Sequence, residues 1–154
     1  MPASDSALAT SRFVERFAGA LADAGWPRMS ARIFALLMAL PDGSATAAQL
    51  AEQLNVGASA ISNGAKMLRE LGVVQTRRQS DRQIVYEVRH EAWIEATAGR
   101  DAELIRLERI LTDGAAALHA SAAGRLRETA DFFAFLRNEL PSLVDRWRNQ
   151  NGAP

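Results

Sequence analysis

The sequence predicts a mainly α-helical fold with one small β-hairpin. Three observations carry this. Apolar residues recur at three- and four-residue steps over most of the 154 residues, the period of helices with one buried face. Two short runs, Val73–Thr76 and Ile84–Val88, are instead rich in β-branched and aromatic residues, which favour strands. A short amphipathic segment, a tight connection and a second amphipathic segment stand directly before those runs.

The elements follow in order. Residues 1–7 read as a flexible tail. From Leu8 to Ala24, Phe13, Phe17, Leu21 and Ala24 form one stripe, and Gly25 and Pro27 end the helix. Ser30 is placed to cap the next helix, ARIFALLMAL, which Pro41 ends; it is apolar nearly all round and so belongs at the centre of the core. PDGS, residues 41–44, has turn chemistry. TAAQ, residues 46–49, is a capping box, in which Thr and Gln side chains each bond the other residue's backbone N–H. It opens a short helix with Leu50, Ala51 and Leu54 inward. Asn55, Val56 and Gly57 make the tight connection. A second helix covers 58–71, with Ile61, Ala65, Leu68 and Leu71 inward and Gly72 suited to its C′ position.

The two strands follow, joined by RRQSDRQ, so the hairpin carries arginines at its end. Residues 91–120 are helical again, with Leu104, Leu107, Leu111, Ala115 and Leu118 in step, and SAAG at 121–124 is the expected break. A last helix runs from Arg125 to Trp147, with Phe133, Leu136, Leu140, Val144 and Trp147 on one side. Pro141 is expected to kink or split it.

Composition narrows the function. Hydrophobic residues are 48% and charged residues 23%, the balance of a globular chain. Eighteen basic residues balance eighteen acidic ones, so any signal for a polyanionic partner must be local. The absence of cysteine excludes a disulfide scaffold, a thiolate zinc site and a cysteine nucleophile from this chain. The N-terminus has no basic leader followed by an apolar core, and the longest apolar run, Ile33–Leu40, is far short of the roughly twenty residues that span a bilayer. No membrane association and a cytoplasmic location are the expectations.

Short helix, tight turn and helix make a helix-turn-helix, and a basic hairpin directly after it makes the unit winged. With helices on either side, the predicted architecture is a winged helix-turn-helix with N- and C-terminal dimerisation helices. The outer face of the second helix of the pair shows Ser59, Ser62, Asn63 and Lys66. Short hydrogen-bonding groups suit close approach to base edges in a major groove, and the small neighbours Ala58 and Gly64 are expected to let the helix sit deep. Charge agrees. Residues 66–89 hold six basic and three acidic side chains, a net +3 that leaves −3 on the remainder. Arg77 and Arg78 alternate along a strand and point to opposite faces. Arg82, near the wing tip, is placed for a minor groove, where negative potential concentrates. Double-stranded DNA is therefore the expected partner. A winged helix that binds another protein is the alternative.

From Ser44 to Val88 the chain, with AAQLAEQLNVGASAISNGAKMLRELGVV and then RRQSDRQIVYEV, resembles the winged helix of MarR-type transcriptional regulators. GWPRMSARIFALLMAL is similar to the GbsR-like branch. The resemblance covers residues 10–90; the C-terminal helices share its pattern rather than its motifs. It implies a homodimeric repressor or activator, with repression expected, on a pseudo-palindromic operator. The wing of that family carries an Asp-Arg pair in which the Arg reaches the minor groove and the Asp holds it, and Asp81 and Arg82 match that pair.

Two copies also follow from recognition itself, since one winged helix offers few base contacts and two read a palindrome one turn apart. Phe13 and Phe17 on the first helix, and Phe132, Phe133, Phe135, Leu136 and Leu140 on the last, are the candidate dimerisation residues. The expected division is a tail (1–7), an N-terminal dimerisation helix (8–29), the winged helix-turn-helix (30–90) and C-terminal dimerisation helices (91–149). Proteins similar to this one often bind ligands between the dimerisation helices and the winged helix. A small apolar or aromatic effector is thus a candidate partner, with Trp26, Phe34, Trp93 and Leu104 either lining its pocket or filling the core. Catalysis is not expected: His90 and His119 lack partners at metal spacing, no nucleophile or phosphate-loop motif is present, and no cofactor is implied.

Overall fold

The computed structural model describes residues 3–89, 91–98 and 101–152. The chain forms two compact units, residues 1–93 and 94–154. The first holds α1 (Ala3–Asp23), α2 (Arg28–Ala39), β1 (Ser44–Thr46), α3 (Ala47–Leu54), α4 (Ala58–Glu70), β2 (Val74–Arg78) and β3 (Ile84–Val88). α5 (Ala92–Ala98) begins at its end, and α6 (Asp101–Ala117) and α7 (Ala120–Gln150) make up the second. This is the predicted mainly helical, winged helix-turn-helix class.

α2 is the centre of the first unit. Ala31, Ile33, Phe34, Ala35, Leu36 and Leu37 are all buried along it, so it is enclosed on nearly every side, as its all-round apolarity requires. Each fully buried Leu, Ile or Phe contributes about 1.5–3 kcal/mol. α1 packs on α2 through Val14, Ala18 and Leu21. That corrects the predicted stripe: Phe13 is exposed, Phe17 is half-buried, and Ala24 lies beyond the helix. α1 also begins at Ala3, within the stretch read as a tail. Its end is a Schellman motif. Gly25 sits at φ +100°, its N–H bonds the Ala22 carbonyl, and the Trp26 N–H bonds the Leu21 carbonyl.

The sheet has three strands in the order β1-β3-β2, all antiparallel. The sequence indicated only the hairpin. β1 is three residues long and runs from the last residue of the expected turn to the first of the capping box, and it exists because Ser44–Thr46 pair with Val85–Glu87. Thr46 closes the strand and at once caps α3. Its hydroxyl accepts from the Gln49 N–H at 3.2 Å, and the Gln49 side chain accepts from the Thr46 N–H at 2.8 Å, the capping box expected.

In the second unit α6 and α7 form an antiparallel helical pair, tied by a two-pronged ion pair of Arg137 and Glu108 at 3.0 Å. Of the helix expected over 91–120, the described residues are helical at Ala92–Ala98 and Asp101–Ala117. The break before α7 falls at His119, not at SAAG, which forms the first turn of α7. His119 is the N-cap: its Nδ1 accepts from the Ser121 N–H at 3.3 Å. α7 is not split at Pro141. The ring removes one N–H donor, and because Pro141 is exposed, water can reach the carbonyl left open. Among the described helices none is long and apolar enough to cross a membrane.

Candidate nucleic-acid interface

The helix-turn-helix is α3, a three-residue connection and α4. Leu50 and Leu54 of α3 and Ile61, Ala65 and Leu68 of α4 are buried together against α2. The connection turns sharply because Asn55 is left-handed, at φ 54°, a conformation Asn tolerates better than most residues. Gly57 caps α4 without a side chain. Gly72 at φ 76° closes it, with the Val73 N–H on the Leu68 carbonyl and the Gly72 N–H on the Arg69 carbonyl. Both ends of the helix are thus set by local chemistry.

Ser59, Ser62, Asn63 and Lys66 are all exposed on α4, opposite its buried face. Among the described residues the side chains of Ser59, Ser62 and Asn63 have no hydrogen-bond partner. Lys66 reaches Glu70 at 4.0 Å, an exposed pair worth little in water. The expectation about Gly64 is corrected. It is buried and faces inward, not toward a groove. A Cβ there would stand 2.7 Å from the Ile33 side chain and 2.9 Å from that of Met29. The glycine lets α4 lie directly on α2. The Ser30 hydroxyl, also buried, donates to the Gly64 carbonyl at 2.8 Å. Ser30 is therefore not the cap of α2, whose N-cap is Pro27, but a buried link from α2 to the middle of α4.

The wing tip is a type I turn closed by a left-handed residue. The Arg82 N–H bonds the Gln79 carbonyl at 3.0 Å, the Gln79 N–H bonds the Gln83 carbonyl at 2.9 Å, and Arg82 sits at φ 68°. Glycine usually takes that position. Asp81 holds the turn through its carboxylate, which accepts from the Gln83 N–H at 3.2 Å. Asp81 thus bonds the backbone on the far side of Arg82, and among the described residues no ion pair joins the two side chains. Arg77 stands 3.8 Å from Glu87, which also accepts from the Gln75 side chain at 3.3 Å. Arg78 lies on the opposite face, paired in register with Ile84. Neither Arg78 nor Arg82 has a carboxylate partner among the described residues.

The other predicted residues fall as follows. Trp26, Phe34 and Trp93 lie in one ring cluster, with centroids 5.5, 5.6 and 6.0 Å apart, and Phe17 joins it. They fill space against each other; Leu104 lies in the second unit. Phe132 and Phe135 are exposed on α7, whereas Phe133, Leu136 and Leu140 are half-buried. His90 lies outside the described residues. Two polar links escaped sequence reading. One is Ser30–Gly64, for which a glycine inside a helix was the available signal. The other is Arg32, whose guanidinium bonds Glu15 at 3.0 Å and the Leu54 carbonyl at 3.3 Å. Nothing in local sequence indicates it.

Residues 91–150 match the model of the MmpR5-like MarR family transcriptional regulators, and residues 34–76 match that of the arsR family of bacterial regulatory proteins. A solved structure described as a transcriptional regulator is 23% identical, spans 91% of this chain and 98% of its own, and superposes with a TM-score of 0.81. Two structures of a ZitR variant from Lactococcus lactis are 19% and 18% identical. They span 70% and 84% of this chain and 72% and 96% of their own, with TM-scores of 0.36 and 0.37. No curated protein matches. The fold is a winged helix-turn-helix, and the two family models that match parts of the chain are both of transcriptional regulators. Within it the resemblance is to MarR-like regulators, as the sequence indicated, and these matches do not single out the GbsR-like branch. The MarR-like model falls on the C-terminal helices, the part whose resemblance lay in pattern alone.

Proposed function

We propose that the chain is a sequence-specific DNA-binding transcriptional regulator, acting as a homodimer on a pseudo-palindromic operator, with repression as its expected sign and a small molecule as its release signal. The matches to two regulator families support DNA-binding regulation in general. The observation that carries the finer reading is the reading head itself. An exposed row of unpartnered Ser59, Ser62 and Asn63 with Lys66 stands on a helix held rigidly from behind, next to a wing whose tip arginine is set in a left-handed turn. In this reading the α4 row enters the major groove, Arg82 enters the minor groove, and Arg78 meets phosphate. Exposed Phe132 and Phe135 supply apolar surface for a second copy.

Selection from a random duplex pool at about 150 mM salt, where the Debye length is short and weak non-specific attraction is screened, tests the proposal. A recovered pseudo-palindrome with half-sites one helical turn apart is the expected result. A folded protein that enriches no sequence would favour the protein-binding winged helix instead.

A further inference from the structure

A cavity of about 470 Å³ lies in the first unit between the N-terminal half of α1, the end of α2 and α3. Val14, Leu36 and Leu54 line it but are almost fully buried; Ala39, Leu40 and Pro41 offer it apolar surface, and Thr10, Ser11, Glu15 and Gln53 are its polar lining. That volume lies within the range of small-molecule sites. No basic side chain lines it.

Beside it sits the three-way link made by Arg32, which is mostly buried. Its Nε and one terminal nitrogen both bond the Glu15 carboxylate on α1, at 3.1 and 3.0 Å, and that terminal nitrogen also bonds the Leu54 carbonyl at 3.3 Å. Leu54 ends α3, so its carbonyl lacks a partner within its own helix, and a cation there is favoured by the helix dipole. The next residue, Asn55, is the left-handed corner of the helix-turn-helix. One guanidinium therefore ties α1 to the turn that sets α3 against α4.

Both residues that Arg32 holds, Glu15 and Leu54, also line the cavity. Whatever displaces Arg32 from within that space must do what Arg32 does: carry positive charge and donate hydrogen bonds. We infer that the cavity is a regulatory site for a small protonated amine with an apolar body, whose ammonium takes the Glu15 carboxylate and the Leu54 carbonyl from Arg32 while its alkyl or aryl part lies on Ala39, Leu40 and Pro41. Occupancy frees α1 from the end of α3 and shifts the helix-turn-helix away from its DNA-competent arrangement. The regulatory half rests on the DNA-binding reading above; the binding half does not.

The test is calorimetric titration of the full-length chain with hexylammonium, with 1-hexanol as the uncharged control. The expected result is saturable one-to-one binding of the amine and none of the alcohol. Glu15→Gln should weaken it about tenfold, the loss of one charge-assisted bond. Arg32→Gln should do the opposite and strengthen it several-fold, because the acceptors are no longer occupied by an internal competitor. A merely structural role for Arg32 would not produce opposite signs at the two ends of one ion pair. Ala39→Leu, which narrows the cavity without touching the ion pair, should abolish binding. No saturable binding, equal binding of the alcohol, or two polar variants that change affinity in the same direction would overturn the site. The amine should also weaken binding of the wild-type chain to its selected duplex. If it binds as described but leaves that affinity unchanged, the coupling is wrong and the site stands. If no duplex is selected, the DNA-binding reading fails and calorimetry still decides the site.

Discussion

Arg82 occupies a backbone conformation that costs an L residue with a side chain roughly 1–2 kcal/mol, and it does so at the tip of the wing. Strain of that kind persists where the side chain has a use. Two substitutions separate the backbone from the guanidinium. Arg82→Ala and Arg82→Gly should both weaken DNA binding and flatten its salt dependence by a similar amount, because both lose the cation. In urea unfolding Arg82→Gly should be about 1 kcal/mol more stable than Arg82→Ala, because only Ala retains the clash of Cβ in the left-handed region. Equal stabilities would show that the turn relaxes, and unchanged DNA affinity in both would remove Arg82 from the interface. Gly64 makes the contrasting case. Its Cβ would press on Ile33 and Met29. Overpacking costs about 1–3 kcal/mol, and the gain in helix propensity offsets less than 1 kcal/mol of it. Gly64→Ala should therefore lower the unfolding midpoint, whereas Gly→Ala at Gly19, with open space around it, should raise it.

At the scale of elements, α4 is positioned from behind. Its apolar stripe lies on α2, the Ser30 hydroxyl bonds its carbonyl chain at Gly64, and its ends are set by Gly57 and Gly72. In the proposed reading Ser59, Ser62 and Asn63, which have no hydrogen-bond partner among the described residues, are available to base edges. α7 shows how packing overrides a local breaker. Pro141 has no N–H and costs a helix interior about 3 kcal/mol, yet the helix runs through it. Pairing of its N-terminal part with α6, including the Arg137–Glu108 ion pair one turn before Pro141, holds it. Pro141→Ala should raise the stability of the second unit by about 1–3 kcal/mol, read as a higher thermal midpoint. A midpoint that does not move would mean the local backbone has already adapted to the ring.

At the scale of the whole molecule, the proposed dimer makes a prediction about surface. Phe132 and Phe135 expose 56% and 59% of their area. They are one element of a face that also carries Leu143 and Trp147. Phe132→Ser with Phe135→Ser should leave helix content unchanged by circular dichroism, convert a dimer to a monomer in sedimentation, and cut operator affinity, since two reading heads act at near-fixed spacing only when joined. A double variant that remains dimeric places the interface elsewhere.

Much of this protein was legible without coordinates. The period of the apolar residues located the helices, the Thr46–Gln49 box and Gly72 marked ends of α3 and α4, and RRQSDRQ between two β-rich runs marked the wing. These signals are local: they depend on neighbours within one or two turns, which the sequence lists in order. What the sequence could not contain is which groups meet across the chain. β1 exists only because β3 lies beside it. Gly64 looks like room for a groove and is room for α2. Ser30 looks like a cap and is a buried bond to α4. Arg32, which no local sequence signal marks, joins three helices. His119, which has no partner at metal spacing, is the cap of α7. Periodicity says that a residue turns inward or outward, but whether an inward position meets a methyl group, a carbonyl or an empty space is decided by packing, and only the tertiary structure sets that.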